Sequence, residues 1–437
     1  MRLNAKVLDF LKNALASLPA ARPVLRLALS GGVDSCVLLA ALLEAKKTLS
    51  FDLHAVHVHH GLSPNADQWA EFCETLCRRC EVPLLIDRVK IDKRSGLGIE
   101  ASARNARYQA LLKGQFDYVV LAHHQDDQAE TFLLQLLRGA GLKGLSAMAS
   151  DDADRRMIRP LLDISRQEIE AYAKFAQLSW IEDESNDDVS FDRNYCRHQV
   201  MPALEARFPA AKKTLARSAA HIAEAAALLE DLAALDAQTY LVENALKLEA
   251  LHNLSNSRAK NLLRWWLAQQ HISMPSKDRL DTLLVQLREA KSDARLKVQL
   301  DNIQVRRYQG FVYVEPEKPS LPISLCWQGE DSLTMPDGSA LIFVRTLGQG
   351  LAIERLGGHK LRIVSRSGGE RFKPDAARPS RTLKYLLQEA NMPPWQRERL
   401  PLVYLDDALA VVPNVGVNCQ MQAGPSERGL VITWRDA

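Results

Sequence analysis

Between residues 24 and 122, short apolar runs alternate with segments of helical spacing. Residues 24–29, 53–58, 83–89 and 118–122 are runs of strand length, the pattern of strands buried on both faces. Residues 33–46, 65–80 and 99–114 between them have helical composition. Strands alternating with helices predict βαβ units, a parallel sheet, and ligands at the carboxyl ends of the strands. The block runs on through a helix at 164–178 to about residue 209. Ahead of it, Val7, Phe10, Leu11 and Leu15 lie among Lys6, Asp9 and Lys12, which predicts an amphipathic helix rather than a signal peptide.

The pattern then changes. Residues 203–237 are rich in Ala, Leu and Glu, contain no Gly, and have no Pro after Pro209, so they read as one long helix. Residues 238–315 are mixed, with helices at 257–271 and 277–289 and strand character at 295–314. Pro316, Pro319 and Pro322 mark a linker. The last block carries short β-like runs and one helix at 380–390. The predicted class is α/β: a parallel-sheet domain over 1–209, a linking helix over 210–237, and two smaller mixed domains over 238–315 and 323–437.

Composition adds bounds. A chain of 437 residues can form two to four full cores. No apolar stretch approaches the roughly 20 residues that cross a bilayer. Without an export signal, the seven cysteines are expected to be reduced thiols of a cytoplasmic protein. The net charge of +3 hides a local excess: residues 355–399 hold eleven Lys or Arg against four Asp or Glu. That excess, interleaved with Phe372, Tyr385 and Trp395, points to a polyanionic partner with stacking surfaces, such as RNA.

The candidate chemistry lies in the first block. Ser30-Gly31-Gly32-Val33-Asp34-Ser35 joins the first strand to the first helix. Such a junction aims backbone N–H groups and the positive helix end at one spot, which suits a phosphate. The glycines let the backbone approach closely. Ser30 and Ser35 can donate to phosphate oxygens, while Asp34 is the more natural Mg²⁺ ligand. The loop is neither Gly-x4-Gly-Lys nor Gly-x-Gly-x-x-Gly. It resembles the pyrophosphate-binding loop of ATP pyrophosphatases, which cut ATP between the α and β phosphates and adenylate a substrate.

Five further strings accompany it. His57-Val58-His59-His60-Gly61-Leu62-Ser63 follows the second strand. Alternation sends His57 and His59 to one face and leaves His60 in the turn. No Cys or carboxylate stands at zinc-ligand spacing, so a strand end lining the nucleotide pocket is favoured. His123-His124-Gln125-Asp126-Asp127-Gln128-Ala129-Glu130-Thr131 opens a helix after the fourth strand. Asp127 and Glu130 share one helix face, where they can hold Mg²⁺ or a cationic substrate; acids in a first turn also serve as caps. The stretch from Gly98 to Tyr108 places Glu100, Arg104, Arg107 and Tyr108 at helical spacing, and Arg104 can either steady phosphate charge or pair with Glu100. Asp183-Glu184-Ser185-Asn186 and Arg193-Asn194-Tyr195-Cys196-Arg197 return polar groups before the long helix.

In this order, these strings resemble the tRNA(Ile)-lysidine synthase family. Leu137-Arg138-Gly139-Ala140-Gly141, Arg159-Pro160-Leu161-Leu162, Ser367-Gly368-Gly369-Glu370-Arg371-Phe372, and the segment from Pro393-Pro394-Trp395 to Leu400-Pro401 fit as well. The likeness covers nearly the whole chain, in the long form with two C-terminal domains. Glu184 stands where the family has Pro, and Cys196 where it has an aliphatic residue. The resemblance implies a Rossmann-like catalytic sheet, ATP and Mg²⁺ as cofactors, and a cytoplasmic ligase with no membrane association; homodimerisation stays open. The implied reaction joins free lysine to C2 of the wobble cytidine of a CAU-anticodon tRNA(Ile) through an adenylated intermediate. The implied ATP contacts are Ser30, Gly31, Gly32, Val33, Asp34, Ser35 and His57, with Asp34 also the Mg²⁺ ligand. Asp34, Arg104, Asp127 and Glu130 are the implied catalytic set. Asp127, Glu130, Arg193, Arg197, Arg371, Lys384, Arg397 and Arg399 are the implied contacts to lysine or tRNA.

Two alternatives differ in chemistry. A tRNA thiolase would use the same loop with sulfur as the incoming atom, and would need reactive cysteines facing it. Cys77-x-x-Cys80, with Cys73, offers the spacing but falls on a predicted helix, where small cysteines pack well. An RNA-binding module with a vestigial nucleotide site would not need the complete acidic and glycine-rich strings.

Overall fold

A computed structural model describes residues 2–16, 18–20, 22–61, 63–90, 99–290, 296–317 and 322–436, less the side chains of 99–101, 185 and 186. Leu62, Gly98, Arg295, Pro319 and the side chains of Glu100, Ser185 and Asn186 therefore lie outside the described residues. The chain divides into two compact units, Met1–Leu232 and Ala233–Ala437.

The first unit is built on a six-stranded sheet. Its strands are β1 (Val24–Ala28), β2 (Asp52–His59), β3 (Leu84–Arg88), β4 (Tyr118–Val120), β5 (Asp151–Asp152) and β6 (Met157–Ile158). The order is β3-β2-β1-β4-β6-β5, parallel throughout except for β5 at one edge. The four sequence-predicted strands are all present; β5 and β6 have two residues each, too short to leave a periodic signal. The helices are α1 (Arg2–Ala16), α2 (Val33–Lys46), α3 (Ala66–Arg79), α4 (Ile99–Leu111), α5 (Gln125–Leu137), α6 (Leu142–Leu145), α7 (Arg166–Phe175), α8 (Asp192–Tyr195), α9 (Met201–Arg207) and α10 (Ala211–Tyr240). Leu25, Leu27 and Leu29 are buried with Leu38, Leu39 and Leu42 of α2, so the first strand and helix form the centre of the core. Arg26 is tolerated inside β1 because its guanidinium donates to the Leu111 carbonyl (3.1 Å) and lies 4.4 Å over the Phe116 ring.

The predicted helix over 203–237 is instead two helices, and Pro209 is the reason. A proline disfavours helical backbone at the residue before it, and Phe208 sits at φ −126°, ψ 85°, ending α9. The chain re-enters a helix at Ala211. Upstream, Cys196–Val200 forms a π-helical turn between α8 and α9.

In the second unit, a five-stranded antiparallel sheet that includes Ile303–Tyr308 and Phe311–Pro316 packs with helices Asn256–Gln269 and Lys277–Glu289 around Trp266 and Leu283. Residues 323–436 add a five-stranded and a four-stranded antiparallel sheet sharing a core of Leu341, Ile363, Leu402 and Leu430. The predicted helix at 380–390 is Leu383–Glu389; a second, Pro394–Arg399, is only six residues long. No helix among the described residues is long and apolar enough to cross a membrane.

Candidate active site

The strand order reverses between β1 and β4, so the loops leaving these two strands border one crevice. In open α/β sheets that switch point is where ligands bind. One border is Ser30–Ser35, the other His123–Glu130.

On the first border the loop is held by its own groups. Gly31 has φ +92°, a conformation that disfavours a side chain, and a Cβ there would lie 2.7 Å from Ile181 Cδ1. Its carbonyl accepts from the Ile181 N–H (2.9 Å). The Ser35 hydroxyl is 3.2 Å from the Gly31 N–H and donates to the Gly32 carbonyl at 2.9 Å. The Ser30 hydroxyl accepts from the Gly32 N–H at 3.3 Å. Gly32 caps α2 without any side-chain hydrogen bond, which leaves the first-turn N–H groups for an anion. Val33 is buried in the core, so only its backbone can face a ligand. His57 lies buried beneath the loop with Nδ1 3.0 Å from the Leu29 carbonyl. Burial pushes its pKa down, so the neutral ring donates from Nδ1.

On the second border, α5 begins with a reciprocal cap: His124 Nδ1 accepts from the Asp126 N–H (3.2 Å) and Asp127 accepts from the His124 N–H (3.0 Å). Nδ1 being an acceptor, the other ring nitrogen carries the proton. That Nε2 lies 3.4 Å from Asp127 and 3.7 Å from Asp34. One imidazole therefore spans the two borders.

The carboxylates are all partnered. Arg193 donates to Asp127 (2.8 Å) and Glu130 (3.0 Å), and Arg197 donates to Glu130 (2.7 and 3.0 Å) and Asp127 (3.1 Å). Glu130 is only 2% exposed. Burial pushes the Asp127 carboxyl up, but His124 and Arg193 outweigh it and hold the pKa below its ordinary value. At Asp34, burial dominates and the pKa is raised despite His124 and Arg166. Arg166 Nη1 is 2.8 and 2.7 Å from the two Asp34 oxygens. Lys212 bridges Asp126 (2.9 Å) and Glu205 (3.1 Å).

Sequence spacing marks neither Arg166 nor Lys212 as a site residue. Arg166 lies 132 positions from Asp34 and no local spacing marks it. Arg104 is exposed on α4 and rests on Tyr108, with its guanidinium 5.1 Å from the ring; its described contacts do not reach the carboxylates. Glu184, where the family pattern expects Pro, accepts from Ser63 and Asn65 at 2.9 Å each. Cys196 is buried with Ala129 and Met201.

Asp34 beside the loop fits Mg²⁺, which takes one or two carboxylates together with substrate phosphates and keeps several waters. Among the described residues, no group of three or more His, Cys, Asp or Glu is arranged to hold a metal ion.

The basic stretch of the second unit is used in two ways. Arg371, Lys384 and Tyr385 are exposed, and Arg371 donates to the Ser380 carbonyl (2.7 Å). Arg397 is buried, donating to the Met392 carbonyl and the Tyr308 hydroxyl. Arg399 is held by Asp436 (2.8 Å) and Glu315 (3.6 Å).

A PP-loop domain matches residues 2–204, a TilS substrate binding domain residues 246–313, and a TilS substrate C-terminal domain residues 361–434. The chain is 46% identical over 419 residues to the tRNA(Ile)-lysidine synthase of Nitrosomonas europaea, covering 94% of this chain and 91% of that protein. Identity to the enzyme of the same name from Azoarcus sp. is 43% over 425 residues, covering 95% and 92%. For Serratia proteamaculans it is 41% over 421 residues, covering 94% and 95%. The chain, with an ATP-using PP-loop domain joined to two substrate domains, belongs to the tRNA(Ile)-lysidine synthase family.

Proposed function

We infer that the protein is a cytoplasmic C–N ligase that joins lysine to C2 of cytidine 34 in a CAU-anticodon tRNA(Ile), consuming ATP and releasing AMP and pyrophosphate. The observation that carries this is one imidazole, His124, spanning a phosphate-binding loop and a carboxylate pair at the switch point. The C2 carbonyl of cytosine is a poor electrophile, so its oxygen must first become a leaving group. Adenylation achieves that, with the departing pyrophosphate held by Ser30–Ser35 and the α2 N-terminus. Mg²⁺, when bound beside Asp34, neutralises phosphate charge. The lysine amine then displaces AMP.

Free lysine has a side-chain pKa near 10.4, so only about one molecule in a few thousand is neutral at pH 7. The amine must be both held and deprotonated. Asp127 and Glu130 are assigned to hold it, and Arg104 to steady phosphate charge once RNA and nucleotide are bound. The division into a catalytic part (1–209), a joining helix (210–237) and two tRNA-binding parts (238–315 and 323–437) follows the same reading. In the last part Arg371 and Lys384 meet RNA phosphates, while Arg397 and Arg399 shape the surface that presents them. Cys77 is buried and its pKa is pushed up to about 11 by desolvation, then by Cys80, which does not suit the thiolase alternative.

The test is ATP-dependent incorporation of labelled lysine into tRNA(Ile) bearing CAU, with methionine tRNA as control. Labelling of the isoleucine tRNA alone is expected. AMP release without lysine incorporation would leave the adenylating core and overturn the lysine assignment.

A further inference from the structure

We propose that Arg193 and Arg197 act as exchangeable counter-ions, so that the lysine site opens only when a phosphate arrives to take a guanidinium. This rests on the assignment of Asp127 and Glu130 to lysine. All four oxygens of the two carboxylates are occupied. Asp127 Oδ1 accepts from both arginines, and Oδ2 accepts from the His124 N–H. Glu130 Oε1 accepts from Arg197, and Oε2 from both arginines.

Two carboxylates and two guanidiniums sum to zero charge. An incoming ammonium would make the cluster +1 at a place where Glu130 is 2% exposed and Asp127 is 7% exposed. Uncompensated buried charge is strongly disfavoured. If one arginine instead turns onto an anion, the carboxylates receive the ammonium and each charge stays paired. The anion that the reaction supplies is the α-phosphate of AMP in the adenylated intermediate. His124 places the pair close to the phosphate loop, within 3.7 Å of Asp34 on one side and 3.4 Å of Asp127 on the other. The guanidinium fork is suited to either partner, since carboxylate and phosphate both accept it bidentately. Two further features fit an exchangeable role. The side chains of Arg193 and Arg197 are 25% and 34% exposed, against 2% for Glu130. Arg197 also sits in the π-helical turn Cys196–Val200, a rare geometry that recurs at functional sites.

The consequence is a binding order set by charge. Lysine and a bound nucleotide phosphate strengthen each other, and reciprocity requires the same factor in both directions. The enzyme then does not fill its lysine site before the leaving group is in place.

Equilibrium dialysis of labelled lysine against the intact chain, with and without saturating AMP, tests this without turnover. Lysine is expected to bind about tenfold or more tightly with AMP present, and AMP to gain the same factor from lysine. Arg197→Met leaves the cluster at −1, so lysine should bind this variant without AMP and the coupling factor should fall toward one. Arg197→Lys keeps the charge and should keep most of the coupling; it also controls for a methionine variant that fails to fold, which circular dichroism would reveal. Equal lysine affinity with and without AMP in the wild type would overturn the exchange and leave the lysine site standing. No lysine binding in any arm, with AMP bound normally, would overturn the lysine assignment itself.

Discussion

Two arginine clusters, one in each unit, are used in opposite ways. In the first, Arg166, Arg193 and Arg197 are part-exposed and spend their hydrogen bonds on carboxylates at the crevice. In the second, Arg397 is buried near Trp395, where Arg306 lies 5.3 Å over the indole and Tyr313 packs edge-on at 5.4 Å. A guanidinium on a carboxylate is a charge that a ligand can replace. A guanidinium bound to carbonyls, a phenol and aromatic faces has no ligand of the same chemistry to exchange with, and serves folding. The position of an arginine in the charge network, not its presence in a basic stretch, decides which role it has.

The largest effect should come from breaking the exchangeable side. Asp127→Asn keeps the shape and the helix cap but removes one charge from the cluster. The specificity constant kcat/KM for lysine should fall about 10³-fold, roughly 4 kcal/mol in transition-state terms, with the KM for ATP changed little. A value within threefold of wild type would remove Asp127 from the lysine site.

On the folding side, the matching change is Trp395→Ala. Trp395 is 5% exposed and its ring touches Tyr308, Tyr313 and Arg306. Truncating a buried Trp costs about 3–5 kcal/mol. Urea unfolding followed by circular dichroism should show that loss. An unchanged midpoint would mean the aromatic joint is not what holds Arg397.

This contrast bears on what could be read from the chain alone. Elements long enough to show a period were found: the first four strands, the helix over 33–46 and the helix over 277–289 all stand where the pattern placed them. Contiguous site strings were found too, because a phosphate loop and a capped helix start are local. What escaped was non-local. Arg166 meets Asp34 only because the α7 N-terminus lies beside the loop, and Lys212 meets Asp126 only because Pro209 turns the chain before α10. The six-residue helix Pro394–Arg399 was invisible to periodicity, and with it the burial of Arg397. Charge counting over 355–399 cannot separate an arginine inside a core from one on a surface.

Acid should weaken the protein through the first unit's histidines. Burial pushes His123 down to about 3, and also lowers His57 and His60. A folded-state pKa below the unfolded value near 6.5 means the unfolded chain binds the proton first. The stability contributed by His123 is therefore complete above about pH 6.5 and declines as pH falls toward 3, at about 1.4 kcal/mol per pH unit for one proton. His123→Asn should reduce the slope of stability against pH between 6 and 4 by about one proton, measured by urea midpoints. An unchanged slope would place the acid sensitivity elsewhere.

The smallest effect separates exposed from buried cations within the second unit. Lys384 is exposed beside Tyr385, which is 63% exposed. If Lys384 meets one RNA phosphate, Lys384→Ala releases one fewer counter-ion, and the slope of log affinity for tRNA against log salt should become shallower by about 0.7–0.9. The affinity at moderate salt should fall only a few-fold, because an exposed ion pair contributes about 1 kcal/mol or less. Arg397→Ala is the counterpart. It should lower the unfolding midpoint and leave the salt slope of whatever fraction stays folded unchanged, since a guanidinium already bound to Met392 and Tyr308 has no phosphate to release. Filter binding of the two variants over a salt series distinguishes them, and a salt-slope change in Arg397→Ala equal to that in Lys384→Ala would erase the distinction between exposed and buried cations in this stretch.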